Sequence, residues 1–175
     1  FEMKMFNPDG SEAQVCGNGL RCLAKYVVDR GLCYDKQFTI STLAGIKPVQ
    51  VFVVQNKVSR VKVNMGTPMF KAEDIPVKLN LLDKKKYFTK GTIMDFPLKL
   101  DGGELLLSFV SLGNPHAVSY LDSPVEDFPL QRIGPEIENH LMFPQRINFE
   151  IARVVNRKNI EARVWERGAH ETLSC

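Results

Sequence analysis

The chain has 175 residues, of which 44% are hydrophobic and 25% charged, with a formal net charge of +3. This length fits one large domain or two small ones with a substantial hydrophobic core. The small, dispersed positive charge is not typical of nucleic-acid binding, and no apolar stretch reaches the roughly 18 residues of a membrane-spanning helix.

The four cysteines do not indicate a disulfide scaffold. The N-terminus lacks the charged and apolar regions of a secretory signal. We therefore expect a cytoplasmic protein. Because the sequence begins at Phe1 rather than Met and stops directly on Cys175, we also expect it to be a piece of a longer protein.

The first half of the chain predicts one helix among several strands. "FEMKMFN" alternates apolar and polar residues and predicts a strand, with Phe1, Met3 and Met5 on one face, and "NPDG" predicts a turn. "GNGLRCLAKYVVDRGL" has apolar residues at helical spacing and a terminal glycine, Gly31. "QFTIS" predicts a strand, and "KPVQVFVV" and "VSRVKVNMG" predict a hairpin joined by "QNK".

The second half repeats this order of strands and helix. Residues 71–103 predict a connector with one or two short strands, and "ELLLSFVSLGNPHAVSYL" predicts two strands around a turn. "DFPLQRIGPEIENH" predicts one helix or two short ones, because Pro135 limits its continuity. "QRINFEIARVV" and "IEARVWERG" predict two further strands. We expect an α+β fold with two similar halves, residues 1–64 and 65–175, each a curved, mostly antiparallel sheet around a helix.

The motif "VCGNGLRC" places Cys16 at or just before the predicted helix N-terminus. Unpaired N–H groups there attract anions and favour the thiolate form of a cysteine. Cys16 is therefore either a reactive thiolate beside a carboxylate-binding site or an inert buried cysteine. We expect core packing for Cys22 and a structural role for Cys33, and the spacing does not match a zinc site.

Several polar residues in other motifs could contact a ligand, although each alone is a weak signal. They are Asn114 and His116 in "GNPH", Asn148 in "RIN", and Glu166 and Arg167 in "WERG".

Taken together and in order, "FNPDGSEAQVCGNGLRC", "GNPHAV", "FPQRINFE" and "RVWERGAHETLSC" closely resemble the diaminopimelate epimerase family, and the resemblance runs from Phe1 to Cys175. It implies two pseudo-symmetric halves with the active site in the cleft between them. It also implies two-base epimerisation of LL-diaminopimelate to meso-diaminopimelate, which serves lysine and peptidoglycan precursor synthesis. No pyridoxal phosphate, metal or nucleotide is implied, and no nucleic-acid or membrane partner; a homodimer is left open.

The resemblance also assigns roles to individual residues. Cys16 and Cys175 would be the two catalytic bases, one acting as thiolate and the other as thiol. Gly17 and Asn18 would hold the reacting carboxylate, and Glu166 would pair with the reacting ammonium group. The residues expected to hold the distal end of the substrate are Asn7, Asn114, Asn148 and Arg167. His116 would lie near the site and tune the thiols.

Two departures from the family pattern stand near the second cysteine. His170 replaces a usual glycine and is expected to crowd the loop, and Ser174 replaces a usual alanine. Two other functions stay open: a racemase or isomerase of the same fold that acts on another amino acid, and an inactive fragment or binding-only relative.

Overall fold

A computed structural model of the chain describes residues 1–7, 10–79, 86–89 and 91–173. The chain separates into two compact units, and the division falls between Thr67 and Pro68. Each unit has its own cluster of buried hydrophobic residues. No helix in the described ranges is long and apolar enough to cross a membrane.

The first unit is a three-stranded antiparallel sheet covered by one helix. Its elements are α1 (Gly17–Asp29), β1 (Gln37–Thr42), β2 (Gly45–Val54) and β3 (Lys57–Val63), with the strands in the order β1-β2-β3. The apolar stripe of α1 packs on the sheet because its members recur at helical spacing. The buried core consists of Val15, Leu20, Ala24, Val27, Ile40, Val49, Val51 and Val58.

The predicted hairpin is confirmed, and a two-residue turn joins its strands. Gln55 and Asn56 connect β2 to β3 with φ of +50° and +59°. Positive φ at both central residues gives a turn whose twist matches that of the strands it joins.

The predicted strand over residues 1–7 is wrong. This segment forms only isolated bridges, a parallel one between Glu2 and Ser41 and an antiparallel one between Phe6 and Glu12. It changes its pairing partner halfway, so neither ladder becomes long enough for a regular strand. Phe1 is 51% exposed, whereas Met3 and Met5 are half-buried. Of the predicted turn, Gly10 has φ of +82° and donates to the Asn7 carbonyl, whereas Pro8 and Asp9 lie outside the described residues.

The second unit is built on a six-stranded sheet with one helix packed against it. The sheet strands are β6 (Phe96–Leu100), β7 (Gly103–Ser111), β8 (Pro115–Tyr120), β9 (Asn148–Asn156), β10 (Asn159–Glu166) and β11 (His170–Thr172). They lie in the order β11-β10-β9-β8-β7-β6, and only the β8–β9 pair is parallel. The predicted α+β class, with mostly antiparallel sheets and a helix in each unit, is confirmed.

The predicted connector holds more structure than expected. It contains β6 and a small two-stranded sheet formed by β4 (Phe88–Thr89) and β5 (Thr92–Ile93). The described part of the segment therefore has three strands rather than one or two. β6 joins the large sheet because Phe96 and Leu98 bury their side chains in its core.

Pro135 does not interrupt its helix, so of the two predicted alternatives, one helix or two short ones, the single helix is the one observed. A short 3₁₀ helix at Val125–Asp127 precedes α2 (Leu130–Glu138), which runs through the proline. Proline removes a single backbone donor, and three buried side chains on the inner face of α2 offset that loss. They are Leu130, Ile133 and Ile137.

Gly134 allows α2 to approach β10 closely. A Cβ at this position would lie 2.5 Å from Trp165 Cδ2 and 2.6 Å from Cγ, which are part of the rigid ring system. Trp165 itself is only 3% exposed. The glycine thus fixes the distance between the helix and the strand that ends in Glu166.

Candidate active site

Cys16 is the N-cap residue of α1, which confirms its predicted position. Its backbone is extended, with φ of −139° and ψ of 113°, and its sulfur accepts a hydrogen bond from Gly19 N at 3.3 Å. The thiol therefore lies at the N-terminus of the helix and caps one of its first N–H groups. A helix N-terminus is the positive end of the helix dipole and attracts anions.

Gly17 and Asn18 are the first two residues of α1. The Asn18 side chain accepts a hydrogen bond from Arg21. Asn7 lies on the N-terminal segment and donates from Nδ2 to Ser11 Oγ at 3.0 Å. The first unit thus carries four of the predicted site residues on two short segments, Asn7 on one and Cys16, Gly17 and Asn18 on the other.

Cys22 is exposed, so the prediction that it packs in the core is wrong. It lies two positions after Leu20, on the side of α1 that faces away from the buried stripe. Cys33 is half-buried, with its sulfur 3.8 Å from the Asp35 carbonyl oxygen. All three cysteines within the described residues are free thiols; Cys175 lies outside them.

In the second unit, strand direction brings the predicted polar residues to one edge of the large sheet. β8 and β9 are parallel and begin side by side, with His116 opposite Asn148. β10 is antiparallel to β9, so it ends at the edge where β9 begins. Asn114 immediately precedes β8, and Glu166 and Arg167 stand at the end of β10.

Asn148 links the three segments of this edge. It is 4% exposed, donates from Nδ2 to the Pro115 carbonyl at 3.0 Å and accepts from Arg167 N at 2.8 Å. The side chain of Arg167 donates from Nη1 to the Gln145 carbonyl at 2.9 Å. The buried amide therefore fixes the backbone at Arg167.

Glu166 accepts a hydrogen bond from a hydroxyl group, and His116 contacts a carboxylate. Thr172 donates from its hydroxyl to Glu166 Oε1, across the β10–β11 pair. His116 is 8% exposed, and its Nδ1 lies 2.6 Å from Glu150 Oε1. A carboxylate bound to Nδ1 orients the imidazole ring and fixes which nitrogen it presents to its surroundings.

Sequence reasoning missed Glu150, which is half-buried, and Glu138, which is buried. Glu138 lies at the end of α2 and accepts hydrogen bonds from Trp165, Gly168 and Arg146. The only available signal was their presence in the "IEN" and "NFE" segments beside the recognised motifs, and nothing local indicates their partners. Among the described residues, no group of three or more His, Cys, Asp or Glu could hold a metal ion.

Arg163 and Glu171 form a two-point ion pair that holds β11 on β10. Arg163 Nε donates to Glu171 Oε1 at 2.8 Å and Nη2 donates to Oε2 at 3.2 Å, while Gln131 donates to Oε2 at 2.6 Å. The hydrogen bonds from Arg163 are the main cause that lowers the pKa of Glu171 below its ordinary value of 4.5. The pair therefore stabilises the fold fully above that ordinary value, and this stabilisation is lost as the pH falls through the lowered pKa.

We expect Glu171→Gln to lower the free energy of unfolding at pH 7 by about 0.5–1 kcal/mol, the range for partly exposed ion pairs. The variant should also lose less stability than the unsubstituted protein between about pH 5 and pH 3, since one depressed carboxyl is gone. Urea unfolding across this pH range measures both effects. Glu2→Gln, which alters a 3.8 Å pair on the exposed surface, is the control and should change neither. Parallel pH profiles for Glu171→Gln and the unsubstituted protein would contradict the assignment.

His170 has a backbone conformation that favours glycine. Its φ is +62°, and its ring packs edge-on against Trp165 with centroids 5.1 Å apart. This explains why a glycine suits the position. The predicted crowding near the second cysteine stays a prediction, since Ser174 and Cys175 lie outside the described residues.

We expect His170→Gly to be about 1 kcal/mol more stable than His170→Ala, because both lose the ring contact and only alanine keeps the left-handed strain. Thermal unfolding of the two variants side by side measures this difference. An alanine variant as stable as the glycine variant would show that the φ of +62° costs nothing.

Comparison with known proteins identifies the family. A family model described as diaminopimelate epimerase matches residues 1–71 and 108–175. A diaminopimelate epimerase from Acetivibrio thermocellus is 49% identical over all 175 residues, which cover 59% of its length. One from Methanococcus maripaludis is 42% identical over the same residues, 60% of its length. The chain spans about three fifths of the length of these curated relatives.

Solved structures share the fold at low sequence identity. A probable proline racemase from Agrobacterium radiobacter K84 has a TM-score of 0.65 at 11% identity, covering 97% of this chain and 50% of that one. A phenazine biosynthesis protein of the PhzF family from Bacillus anthracis has a TM-score of 0.53 at 20% identity, covering 97% and 56%. These likenesses concern the fold alone. The motif order, the family model and the identity to curated relatives agree, and the chain belongs to the diaminopimelate epimerase family.

Proposed function

We propose that the protein carrying this chain converts LL-diaminopimelate to meso-diaminopimelate without pyridoxal phosphate, metal or nucleotide. The observation that carries the proposal is Cys16 as the N-cap of α1. It places a nucleophilic sulfur beside helix amides that suit a carboxylate. The identity to curated epimerases over the whole chain supports the same reaction.

In the proposed reaction, two cysteines exchange one proton each with the substrate. One of Cys16 and Cys175, as thiolate, takes the Cα proton, and the C–H electron pair stays on the carbon as a carbanion. The other, as thiol, gives its proton to the opposite face of that carbon. The product has the inverted configuration, and the two cysteines have exchanged protonation states.

The carbanion needs electrostatic stabilisation, because a Cα proton is very weakly acidic. The amides at Gly17 and Asn18 would hold the reacting carboxylate, which takes up part of the developing charge. Glu166 would pair with the reacting ammonium group. The positive end of the α1 dipole lies at the point where Cys16 also stands.

Specificity for diaminopimelate would come from its second amino-acid end. Asn7, Asn114, Asn148 and Arg167 would bind this end, with the guanidinium on its carboxylate. His116, oriented by Glu150, would support the thiols. A substrate without the distal end would leave these polar groups unpaired and be rejected strongly.

A panel of amino acids tests the substrate assignment. The full-length polypeptide carrying this sequence is offered LL-diaminopimelate, L-lysine and L-proline, and optical inversion is followed by chiral chromatography. We expect inversion of diaminopimelate alone. Comparable inversion of lysine or proline would favour a racemase of the same fold with another substrate. No inversion by folded protein would favour a binding-only relative.

The same proposal includes the cellular compartment, the biosynthetic role and the partners of the enzyme. Free thiols at Cys16, Cys22 and Cys33 suit a reducing compartment, so we place the enzyme in the cytoplasm, acting in lysine and peptidoglycan precursor synthesis. Its partner would be the small-molecule substrate, with no nucleic acid or membrane. We also propose a homodimer, which sedimentation of the full-length polypeptide would test.

A further inference from the structure

Glu138 is a buried carboxylate at an unfavourable place in its helix. It is the last residue of α2 and is 5% exposed. A negative charge near a helix C-terminus opposes the helix dipole, and burial of a charge is costly without partners. Helix stability therefore does not explain this residue, and its hydrogen-bond partners do.

The partners of Glu138 lie on both sides of the Glu166–Arg167 pair. Glu138 Oε2 accepts from Trp165 Nε1 at 2.7 Å, and Oε1 accepts from Gly168 N at 2.9 Å. These two donors immediately precede and follow the pair in sequence. One carboxylate thus holds both ends of the turn that presents the two side chains.

The third partner leads into β9. Arg146 Nη1 donates to Glu138 Oε1 at 3.2 Å, and Arg146 has φ of +57°. A non-glycine residue keeps such a conformation only where its surroundings hold it. Arg146 precedes Asn148 by two residues, and Asn148 accepts from Arg167 N at 2.8 Å. Glu138 therefore braces both strands that carry the candidate substrate-binding residues.

We propose that Glu138 is a positioning residue that fixes Arg167 and Asn148 for binding of the distal end of the substrate and Glu166 for binding of its reacting ammonium group, an inference that rests on the proposed function. Glu138 does not touch substrate. It acts through Gly168 and Trp165 on the turn and through Arg146 on the start of β9. The residues that Glu138 positions would contact the substrate both before and during the reaction. Misplacing them therefore weakens substrate binding more than it slows the chemical step.

The test uses the full-length enzyme with Glu138→Gln. The glutamine can still accept from Gly168 N, but its amide N–H groups oppose Trp165 Nε1–H. We expect KM for diaminopimelate to rise by at least about tenfold with kcat changed less than about threefold. The fluorescence of Trp165, assigned in the full-length enzyme by comparison with Trp165→Phe, reports the loss of its hydrogen bond to Glu138.

Glu136→Gln is the matched control on the same helix. Glu136 accepts from Asp101 N at 2.9 Å, away from the site edge, and glutamine can replace it as acceptor. We expect this variant to keep KM, kcat and the Trp165 fluorescence. If it raises KM as much as Glu138→Gln does, the positioning role is refuted.

A double-mutant cycle separates positioning from general stability. Glu138→Gln should cost clearly less in kcat/KM when Arg167→Met is already present than in the unsubstituted enzyme, because part of its effect acts through Arg167. An equal cost in both backgrounds, or an unchanged KM in Glu138→Gln, would overturn the inference.

A second variant and the assay of the unsubstituted enzyme cover the remaining outcomes of this test. Should Glu138→Gln fail to fold, Trp165→Phe removes one donor and keeps most of the ring; KM raised at least about threefold supports the inference and an unchanged KM overturns it. An unsubstituted enzyme that does not turn over diaminopimelate refutes the proposed function, and this inference with it. The assay of the unsubstituted enzyme thus distinguishes the two failures.

Discussion

Replacing Cys16 by alanine should reduce exchange of the diaminopimelate Cα proton by about 10²–10⁴-fold, the range for loss of a positioned acid or base. The full-length polypeptide is the enzyme to use, and NMR of the Cα proton is the measurement. The reason is local: Cys16 is the N-cap residue of α1, so its sulfur lies at the positive end of the helix dipole, where a carboxylate would bind.

Cys16→Ala also removes the sulfur that accepts from Gly19 N, so part of its effect could come from the helix start. Loss of an N-cap costs about 1 kcal/mol. Cys16→Ser resolves this, because its hydroxyl is a preferred N-cap acceptor yet a far weaker acid than a thiol. We expect the serine variant to be as stable as the unsubstituted protein and nearly as inactive as the alanine variant.

Cys22→Ala is the matched control, since it removes a thiol from the same helix at an exposed position. We expect its activity to be unchanged. Exchange within tenfold of normal in Cys16→Ala, or an equal loss in Cys22→Ala, would show that Cys16 is not one of the bases.

Gly134→Ala should lower the free energy of unfolding by about 1–3 kcal/mol, the usual cost of forcing extra atoms into a packed core. In an exposed helix the same change would instead stabilise by about 1 kcal/mol. The sign reverses here because the new Cβ would lie 2.5 Å from the Trp165 ring, and neither α2 nor the buried ring can move without disturbing the core.

Arg132→Ala controls for the effect of alanine on the same helix, because Arg132 is exposed. We expect a change within about 0.5 kcal/mol there, as for most surface substitutions. Thermal or urea unfolding of both variants gives the comparison. A Gly134→Ala protein as stable as the unsubstituted one would mean that α2 and β10 do not pack at the described distance.

The elements predicted correctly are those whose signals are local. The α1 helix follows from apolar spacing and its terminal Gly31, and the β2–β3 hairpin from two alternating runs around "QNK". Cys16 was placed at the helix start for the same reason. The exposure of Cys22 was missed because a position inside the helix was taken to indicate core packing. Its offset of two residues from the buried Leu20 places it on the outer face.

The features that were missed depend on contacts between distant residues. Nothing local indicates that β8 and β9 pair in parallel with His116 opposite Asn148, and that register creates the His116–Glu150 contact. Glu138 meets donors up to 30 residues away, so its partners were not predictable either. The choice between one helix and two short ones around Pro135 was left open, because the burial of Leu130, Ile133 and Ile137 decides it and the local sequence does not show that burial.

The most direct test of the proposed reaction is solvent deuterium incorporation. LL-diaminopimelate is mixed with the full-length polypeptide in heavy water with no added cofactor, and the Cα signals of both isomers are followed. Two-base chemistry predicts that early meso product carries deuterium at the inverted Cα while unreacted LL substrate still carries protium. Folded protein that incorporates no deuterium into either isomer would contradict the proposed function.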